Sequence, residues 1–529
     1  LLIVITNRHR AGRSWIISER DGNGRIFFGA DWVEPYDKGY KIRIKGDEDL
    51  QMLELPLLSL DRSNESERQM VNDREAATNG LLKKISIKPR GPEVENLPAK
   101  VESILVLPGD APANTGALKM ADWQGEARPM ETFGLYKGVA WYLTSQENVD
   151  IEGQSFENTT PYQEGYLYFR SGSDLVSVYV NGEYLGTKVP NGDSLLLKLP
   201  AKSNSAAIKL TARTEIWGHS NFDHERVPAL AIGSLRGLDG LVALVHEING
   251  VWSKVRTETT QKGRKTTWTW RPETPILGKT IVIRLNHELT DQIKVSINGE
   301  TIGYFGKYKK TVEIASHIIT EKVSVFEFNQ EVCDTKNDEE GEMVGLFLGT
   351  GNPAMILAGS AFTDWEIWGF SPKEMVKWVE HDAGSATDDQ DSNDKNRWNE
   401  INSTSTALRY PIKLQSGRIV KMKLTIDLSS CKPESIAYLI FEGHGYKLTA
   451  FLGDKILGRL WLPSPGKPEF AGGTVYDRLY LPEAWVKGKT IELRLLLEAI
   501  APEEPGEITS VRCEIEHPET LLILKNVID

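Results

Sequence analysis

Two groups of residues have the types and spacing that recognition of a polyhydroxylated ligand would use. The first lies near the middle of the chain, in WGHSNFDHERVP, where Trp217, His219, Asn221 and Asp223 set an aromatic plane beside three hydrogen-bonding side chains. An indole offers a broad flat surface for the apolar face of a sugar, while imidazole, amide and carboxylate can take its hydroxyls. The same residues would equally close an interface between modules. The second group is TTWTWR, Thr266 to Arg271, whose period of two puts Trp268 and Trp270 on one strand face. Such a face is usually core; exposed, it would make a platform for a sugar ring.

Hydrolytic chemistry on a glycoside needs more than this. A retaining glycosidase requires two carboxylates about 5–5.5 Å apart. No acid in the chain, Glu131 and Glu215 included, carries a pattern that marks it as one of such a pair, so no catalytic residue is assigned. The phosphate-loop, dinucleotide, H-E-x-x-H and G-x-S-x-G signatures are absent from the sequence. His219 and His224 could form a zinc trio with Asp223, but ordinary hydrogen-bonded histidines explain them better. The acidic run at 380–396 lacks the calcium-loop spacing, so the reading includes neither a metal nor an organic cofactor.

The elements that must position these residues read as β throughout. Short alternating strands are predicted at Val139 to Leu143, Tyr166 to Arg170, Leu175 to Val180, Leu195 to Leu199 and Ala207 to Thr211, with a hairpin turn at Asn181-Gly182. A matching hairpin, KVSINGETIG, recurs at 294–303, beyond the junction at 217–245. The final strands are predicted at Arg418 to Leu428, Ile436 to Glu442 and Lys447 to Leu452, and one short helix at Lys373 to Val379. No eightfold alternation of strands and helices is visible, so the fold class is mainly β, with several tandem β-sandwich or jelly-roll modules and no TIM barrel in this chain. The expected modules are a small β-sandwich at 1–95, truncated at its start, a jelly-roll-like module at 96–245, a β-sandwich at 246–342 and a jelly-roll-like module at 343–529.

Length and charge agree with a multi-module protein. At about 150 residues per domain, 529 residues make three or four. A formal charge of -12 disfavours wholesale binding to nucleic acid or anionic lipid. No stretch approaches the roughly 18 continuous apolar residues of a membrane-spanning helix. Three cysteines are too few for a disulfide scaffold and leave the compartment open. The opening LLIVITNRHRAGRSW reads as a strand already under way, which predicts that residue 1 is a cut within a longer polypeptide. Arg8, His9, Arg10 and Arg13 form a basic cluster near Trp15 that could bind a ligand or simply end a strand.

Three motifs, taken in order, resemble a known family. ETFGLYKGVAWY at 131–142, VSVYVNGEYLG at 176–186 and the segment 217–245 are similar to the non-catalytic β-modules of beta-galactosidases of glycoside hydrolase family 35. The family's G-Y-V-W-Y-R strand, which follows a glutamate-containing segment, corresponds here to Glu131 and Val139 to Tyr142. Its V-x-V-N-G-x-x-x-G hairpin corresponds to Val178, Val180, Asn181, Gly182 and Gly186. His219 and Phe222 depart from the family's usual Arg and Tyr. Near the end, Gly453 to Trp461, Leu479 to Trp485 and Gly488 follow the order of the family's closing module, with Asp454-Lys455 where Asn-Gly is common.

The resemblance implies the accessory portion of a glycoside hydrolase acting on β-galactosides. The catalytic barrel would lie in a missing N-terminal region or on a separate chain, and the ligand would be a galactose-containing oligosaccharide. In this reading Arg13, Trp15, Glu131 and Trp141 support the barrel or an interface, and Trp217, His219, Asn221, Asp223, Trp268 and Trp270 touch sugar. The alternative is a non-catalytic, carbohydrate-binding multi-module protein.

Overall fold

Strand Gly165–Ser173 sends Tyr166 and Tyr168 to one side and Leu167 and Phe169 to the other, and all four rings and side chains are buried. A strand covered on both faces belongs inside a stack of layers. The computed structural model describes residues 94–147, 165–200, 207–219, 227–260, 263–285, 292–306, 309–319, 325–333, 354–380, 410–431, 435–464, 477–486 and 490–516, with short strands at 14–18, 23–28, 32–36, 39–43, 51–56, 82–84 and 522–525 described through their pairing. Those residues build antiparallel sheets stacked as sandwiches, and the one α-helix among them is Pro372–Glu380.

Five of the seven sheets formed by the described strands pack face to face. The outer sheet runs Ile412–Leu414, Gly506–Glu516, Ile436–His444 and Arg478–Leu481, with Val94–Pro98 also paired to Gly506–Glu516. Across a core of Met422, Leu424, Leu439, Phe441, Leu495 and Cys513 it faces the docking sheet. That sheet is ordered Lys455–Leu462, Tyr446–Leu452, Thr490–Ala499, Arg418–Asp427 and Lys100–Pro108. The docking sheet's other face packs on the central sheet, ordered Glu183–Lys188, Leu175–Val180, Ala207–Ile216, Gly138–Glu147, Asp364–Phe370 and Leu118–Gln124. Leu107, Ile419 and Phe451 meet Val139, Trp141 and Phe370 there.

Behind the central sheet lies a fourth sheet, ordered Leu195–Lys198, Gly165–Ser173, Gly237–Glu247, Ala354–Ala361, Thr280–Leu285 and Thr311–Ile314. It rolls up. Tyr168 Oη donates to Glu313 Oε1 at 2.6 Å and the Ser194 and Thr311 hydroxyls lie 3.2 Å apart, so side chains near its two edges meet. Tyr168, Ala243, Val245, Val282 and Leu357 fill the concave side. The convex side packs the central sheet through Leu167, Phe169 and Leu244, and a flanking sheet through Ile281, Ile283 and Ile356. The flanking sheet is Gly250–Thr260, Gly263–Pro272, Phe326–Cys333, Ile293–Ile297 and Glu300–Phe305.

Local sequence explains the connections that matter. Asn181 and Gly182 both have positive φ, 52° and 81°, as the two-residue turn joining Val180 to Glu183 demands. In the closing module the corresponding two-residue turn is Gly453-Asp454, where Gly453 takes a positive φ and Leu452 pairs Lys455. Helix Pro372–Glu380 starts at Ser371, whose hydroxyl receives the Glu374 N–H and donates back to the Glu374 carboxylate, with Pro372 in the first position. Its last carbonyls accept from Lys421 Nζ at 2.8 Å and Arg494 Nη1 at 2.5 Å, cations where the helix dipole is negative. The helix thereby fastens the edge of the central sheet to the docking sheet.

Candidate functional site

The junction around Trp217 is held by a buried arginine that the sequence reading did not single out. Arg236 is 2% exposed. Its Nε lies 2.8 Å from Asp174 Oδ1 and donates to the Gly218 carbonyl at 2.9 Å, and its Nη1 donates to the Ser234 carbonyl and hydroxyl. Its backbone N–H reaches both oxygens of Glu131, at 3.0 and 2.9 Å. Asp174 Oδ2 accepts the N–H groups of Trp217 and Gly218 at 2.7 and 3.1 Å. His219 Nε2 is 3.0 Å from the Tyr136 carbonyl, and its Nδ1 is 3.9 Å from Glu131. The Trp217 ring meets Trp461 of the docking sheet edge-on, with centroids 6.2 Å apart. Glu131, Trp217 and His219 are thus brought together, and their polar atoms bind the chain to itself. Asn221, Asp223 and Arg13 lie outside the described residues, and Trp15 is described through its backbone pairing with Phe27.

The other predicted aromatic residues are packed. Trp270 is buried against Trp252 and Phe326, with centroids at 6.5 and 5.3 Å, and half-buried Trp268 joins the same core. The face that TTWTWR creates is therefore the inner one. Trp141 is fully buried between the central and docking sheets, where its Nε1 donates to the Gly109 carbonyl at 2.8 Å and the Arg213 guanidinium lies 5.3 Å from its ring.

Beside Trp141 four charges are buried together: Arg213 and Glu215 of the central sheet, Lys447 and Glu498 of the docking sheet. Lys447 Nζ contacts Glu215 and lies 2.9 Å from Glu498, which also contacts Arg213. Burial alone would raise the Glu215 pKa, but the ammonium of Lys447 and the guanidinium groups of Arg459 and Arg213 override it and hold the carboxyl well below the usual carboxylate range. Glu215 is a structural anion joining two modules.

The same face of the central sheet remains open at its other half. Register places Thr211, Leu143, Glu366 and Asp122 in one row across four strands, and Gln124 opposite Asp364 beside it. With Ser145 and Lys209, these residues line a groove of about 990 Å³ that Asp110 and Gly182 help to wall. Period two sends Trp123 and Trp365 away from it: Trp365 is 2% exposed in the core, and Trp123 packs edge-on against Phe133. The groove thus presents carboxylates, an amide, hydroxyls and one ammonium, and its volume is that of a small-molecule site.

Several groups hold these side chains in place. Trp368 Nε1 donates to Glu366 Oε1 at 2.6 Å, Thr363 Oγ1 to Asp364 at 2.9 Å, and Lys119 Nζ sits 2.9 Å from Asp122 and 3.8 Å from Glu366. The signal that could have revealed the groove is the repetition of Asp-Trp followed by Gln or Glu, at 122–124 and 364–366. The two copies lie on neighbouring strands with the tryptophans directly opposite each other. Among the described residues no group of three His, Cys, Asp or Glu side chains is arranged to hold a metal ion.

No protein-family model and no curated protein matches the chain. Among solved structures it is similar to a GH2 beta-galacturonidase from Eisenbergiella tayi bound to galacturonate, with 14% identity over 45% of this chain and 38% of that one, at a TM-score of 0.19. A beta-glucuronidase from Bacteroides uniformis matches at 11% identity over 37% of this chain and 22% of that one, with a TM-score of 0.18. A beta-glucuronidase from Ruminococcus gnavus in complex with D-glucuronic acid matches at 12% over 41% of each, with a TM-score of 0.19. In each case the chain spans less than half of the other protein. These matches are distant and partial, a putative beta-galactosidase from Bacteroides fragilis stands among them beside the glucuronidases and galacturonidases, none is specific to family 35, and alignments of this kind assign no activity.

Proposed function

We propose that this chain is a non-catalytic, carbohydrate-binding multi-module region, and that it holds a saccharide in the groove on the central sheet. The observation that carries this reading is the groove's lining: a cleft of about 990 Å³ in which Asp110, Asp122, Gln124, Ser145, Lys209, Thr211, Asp364 and Glu366 gather hydrogen-bonding groups over Leu143. Carboxylates and amides at fixed positions match the dense hydroxyls of a sugar, and the strands that present them are rigid.

Titration calorimetry of the full chain with neutral oligosaccharides, galactose-containing ones among them, tests it. Ser145→Trp places a large ring in the groove from an exposed strand position. Saturable binding that this variant weakens by about tenfold or more, about 1.4 kcal/mol, is expected. Absence of binding to every oligosaccharide, or binding indifferent to Ser145→Trp, overturns the reading.

A second reading, support of a galactoside-cleaving barrel outside this chain, is favoured by exposed apolar residues at the junction. Tyr136, Ile232 and Leu235 are 63%, 63% and 53% exposed. Tyr136 and Leu235 adjoin the Glu131–Arg236 clasp and would be covered by a neighbouring module. Native mass of the protein from its source, with turnover of a chromogenic β-galactoside, decides it: a species large enough to add a barrel and active supports this reading, and an inactive species of about 59.2 kDa refutes it.

A further inference from the structure

Cross-strand neighbours in an antiparallel sheet are close enough that like charges placed directly opposite destabilise the pair. The groove contains such a pair, since Glu366 stands opposite Asp122, and Asp364 follows two residues away on the same face. Trp368 fixes one oxygen of Glu366, so that side chain cannot swing away without losing a hydrogen bond. One ammonium, Lys119, serves both Asp122 and Glu366 from the rim. Asp364 is held by hydroxyl and amide donors, Thr363 and Gln124, and pairs with no cation among the described residues. The lining therefore carries four carboxylates, Asp110, Asp122, Asp364 and Glu366, against Lys209 within the groove and Lys119 at its edge.

Two kinds of ligand fail to match this arrangement. An acidic saccharide would bring a further negative charge beside Asp364 and Glu366, where like charges repel. A bare metal ion would need three or more converging ligands, which the described residues do not offer. We infer that the groove takes an amino sugar with a free ammonium group, seated against Asp364 and Glu366 with its hydroxyls on Gln124, Ser145 and Thr211. This inference rests on the saccharide-binding reading and names the class of sugar. The ammonium supplies the cation that Asp364 lacks and adds to the single Lys119 that Asp122 and Glu366 share, and the N-acetylated sugar, with the same ring and no charge, does not.

The test compares three tetramers by calorimetry with the full chain: fully deacetylated glucosamine, its N-acetylated form, and galacturonate. The comparison is run at about pH 5.5, where the amino sugar is cationic. The deacetylated tetramer should bind at least about tenfold more tightly than the acetylated one, and the advantage should shrink with added salt. In Asp364→Asn/Glu366→Gln, which keeps side-chain shape, the two affinities should converge, with a thermal scan verifying the fold. Equal affinities in the wild type, or tightest binding of galacturonate, overturn the inference and leave the saccharide reading standing. A preference that survives in the double variant overturns the placement of the ammonium. No binding of any tetramer overturns both.

Discussion

Lys447→Met removes the one ammonium that sits between Glu215 and Glu498 while keeping a side chain of similar length. The four side chains of the cluster, Arg213, Glu215, Lys447 and Glu498, are 5–10% exposed, and their charges cancel. Without Lys447 one negative charge stays buried between two sheets. Breaking one partner of a buried ion pair typically costs about 3–5 kcal/mol. The Glu215 carboxyl shows the same dependence. Burial would raise its pKa, yet Lys447 first, then Arg459 and Arg213, hold it below the ordinary 4.5, at about 2. The expected loss at pH 7 is about 3 kcal/mol.

The pH dependence carries the sharper test. A carboxylate whose pKa is depressed by folding stabilises the protein fully above its unfolded value and loses that contribution as pH falls through the folded one. The difference between wild type and variant should be full at pH 7, shrink below about pH 4.5 and fade towards about pH 2. Urea denaturation at several pH values, followed by tryptophan fluorescence, measures it, because Trp141 lies beneath Arg213 in the same interface. A loss below about 1 kcal/mol at pH 7, or a difference that ignores pH, would show that the two sheets do not depend on this cluster.

The junction and the rolled sheet yield two further expectations. Arg236→Met strands Asp174 without its guanidinium and frees the Gly218 carbonyl, so calorimetric unfolding should show a loss of about 3 kcal/mol, partly recovered by adding Asp174→Asn; full stability of the single variant would refute the clasp. A Cβ on Gly359 would lie 1.9 Å from the Leu244 carbonyl oxygen. Gly359→Ala should therefore cost about 2 kcal/mol or more in a thermal melt, and an unchanged midpoint would mean those strands are not so close.

Much of this architecture is legible in the sequence because it is local. Asn181-Gly182 and Asn298-Gly299 announce their hairpins, Leu175 to Val180 is found at its predicted bounds, and Lys373 to Val379 lies within the observed helix. Pairing across long separations is not legible. Lys100–Pro108 lies beside Arg418–Asp427, and nothing in either stretch names the other. The buried charges are not legible for a related reason: in LTARTEI, Thr211, Arg213 and Glu215 alternate with Leu210, Ala212, Thr214 and Ile216 just as a solvent face would, and only the docked sheet reveals that this face is covered. The groove is not legible for the same reason: Asp122 and Gln124 flank Trp123, and Asp364 and Glu366 flank Trp365, but only the pairing of the two distant strands sets these four side chains side by side.

One face of one sheet therefore meets two different demands. Where the docking sheet covers it, Arg213 and Glu215 are matched charge for charge by Glu498 and Lys447, because an unmatched ion between two sheets would cost several kcal/mol. Where the cover ends, water screens the carboxylates, and Asp122, Asp364 and Glu366 stand with less than one cation each. Stability does not require that imbalance, since Asn or Gln at the same positions would keep the hydrogen bonds from Trp368 and Thr363 while removing the repulsion. The distinction separates acids that hold modules together from acids left available to a ligand. By that criterion Glu215 belongs to the first kind and Glu366 to the second. Neutralising each should then affect stability differently in a urea denaturation, with a loss for Glu215→Gln and no loss for Glu366→Gln.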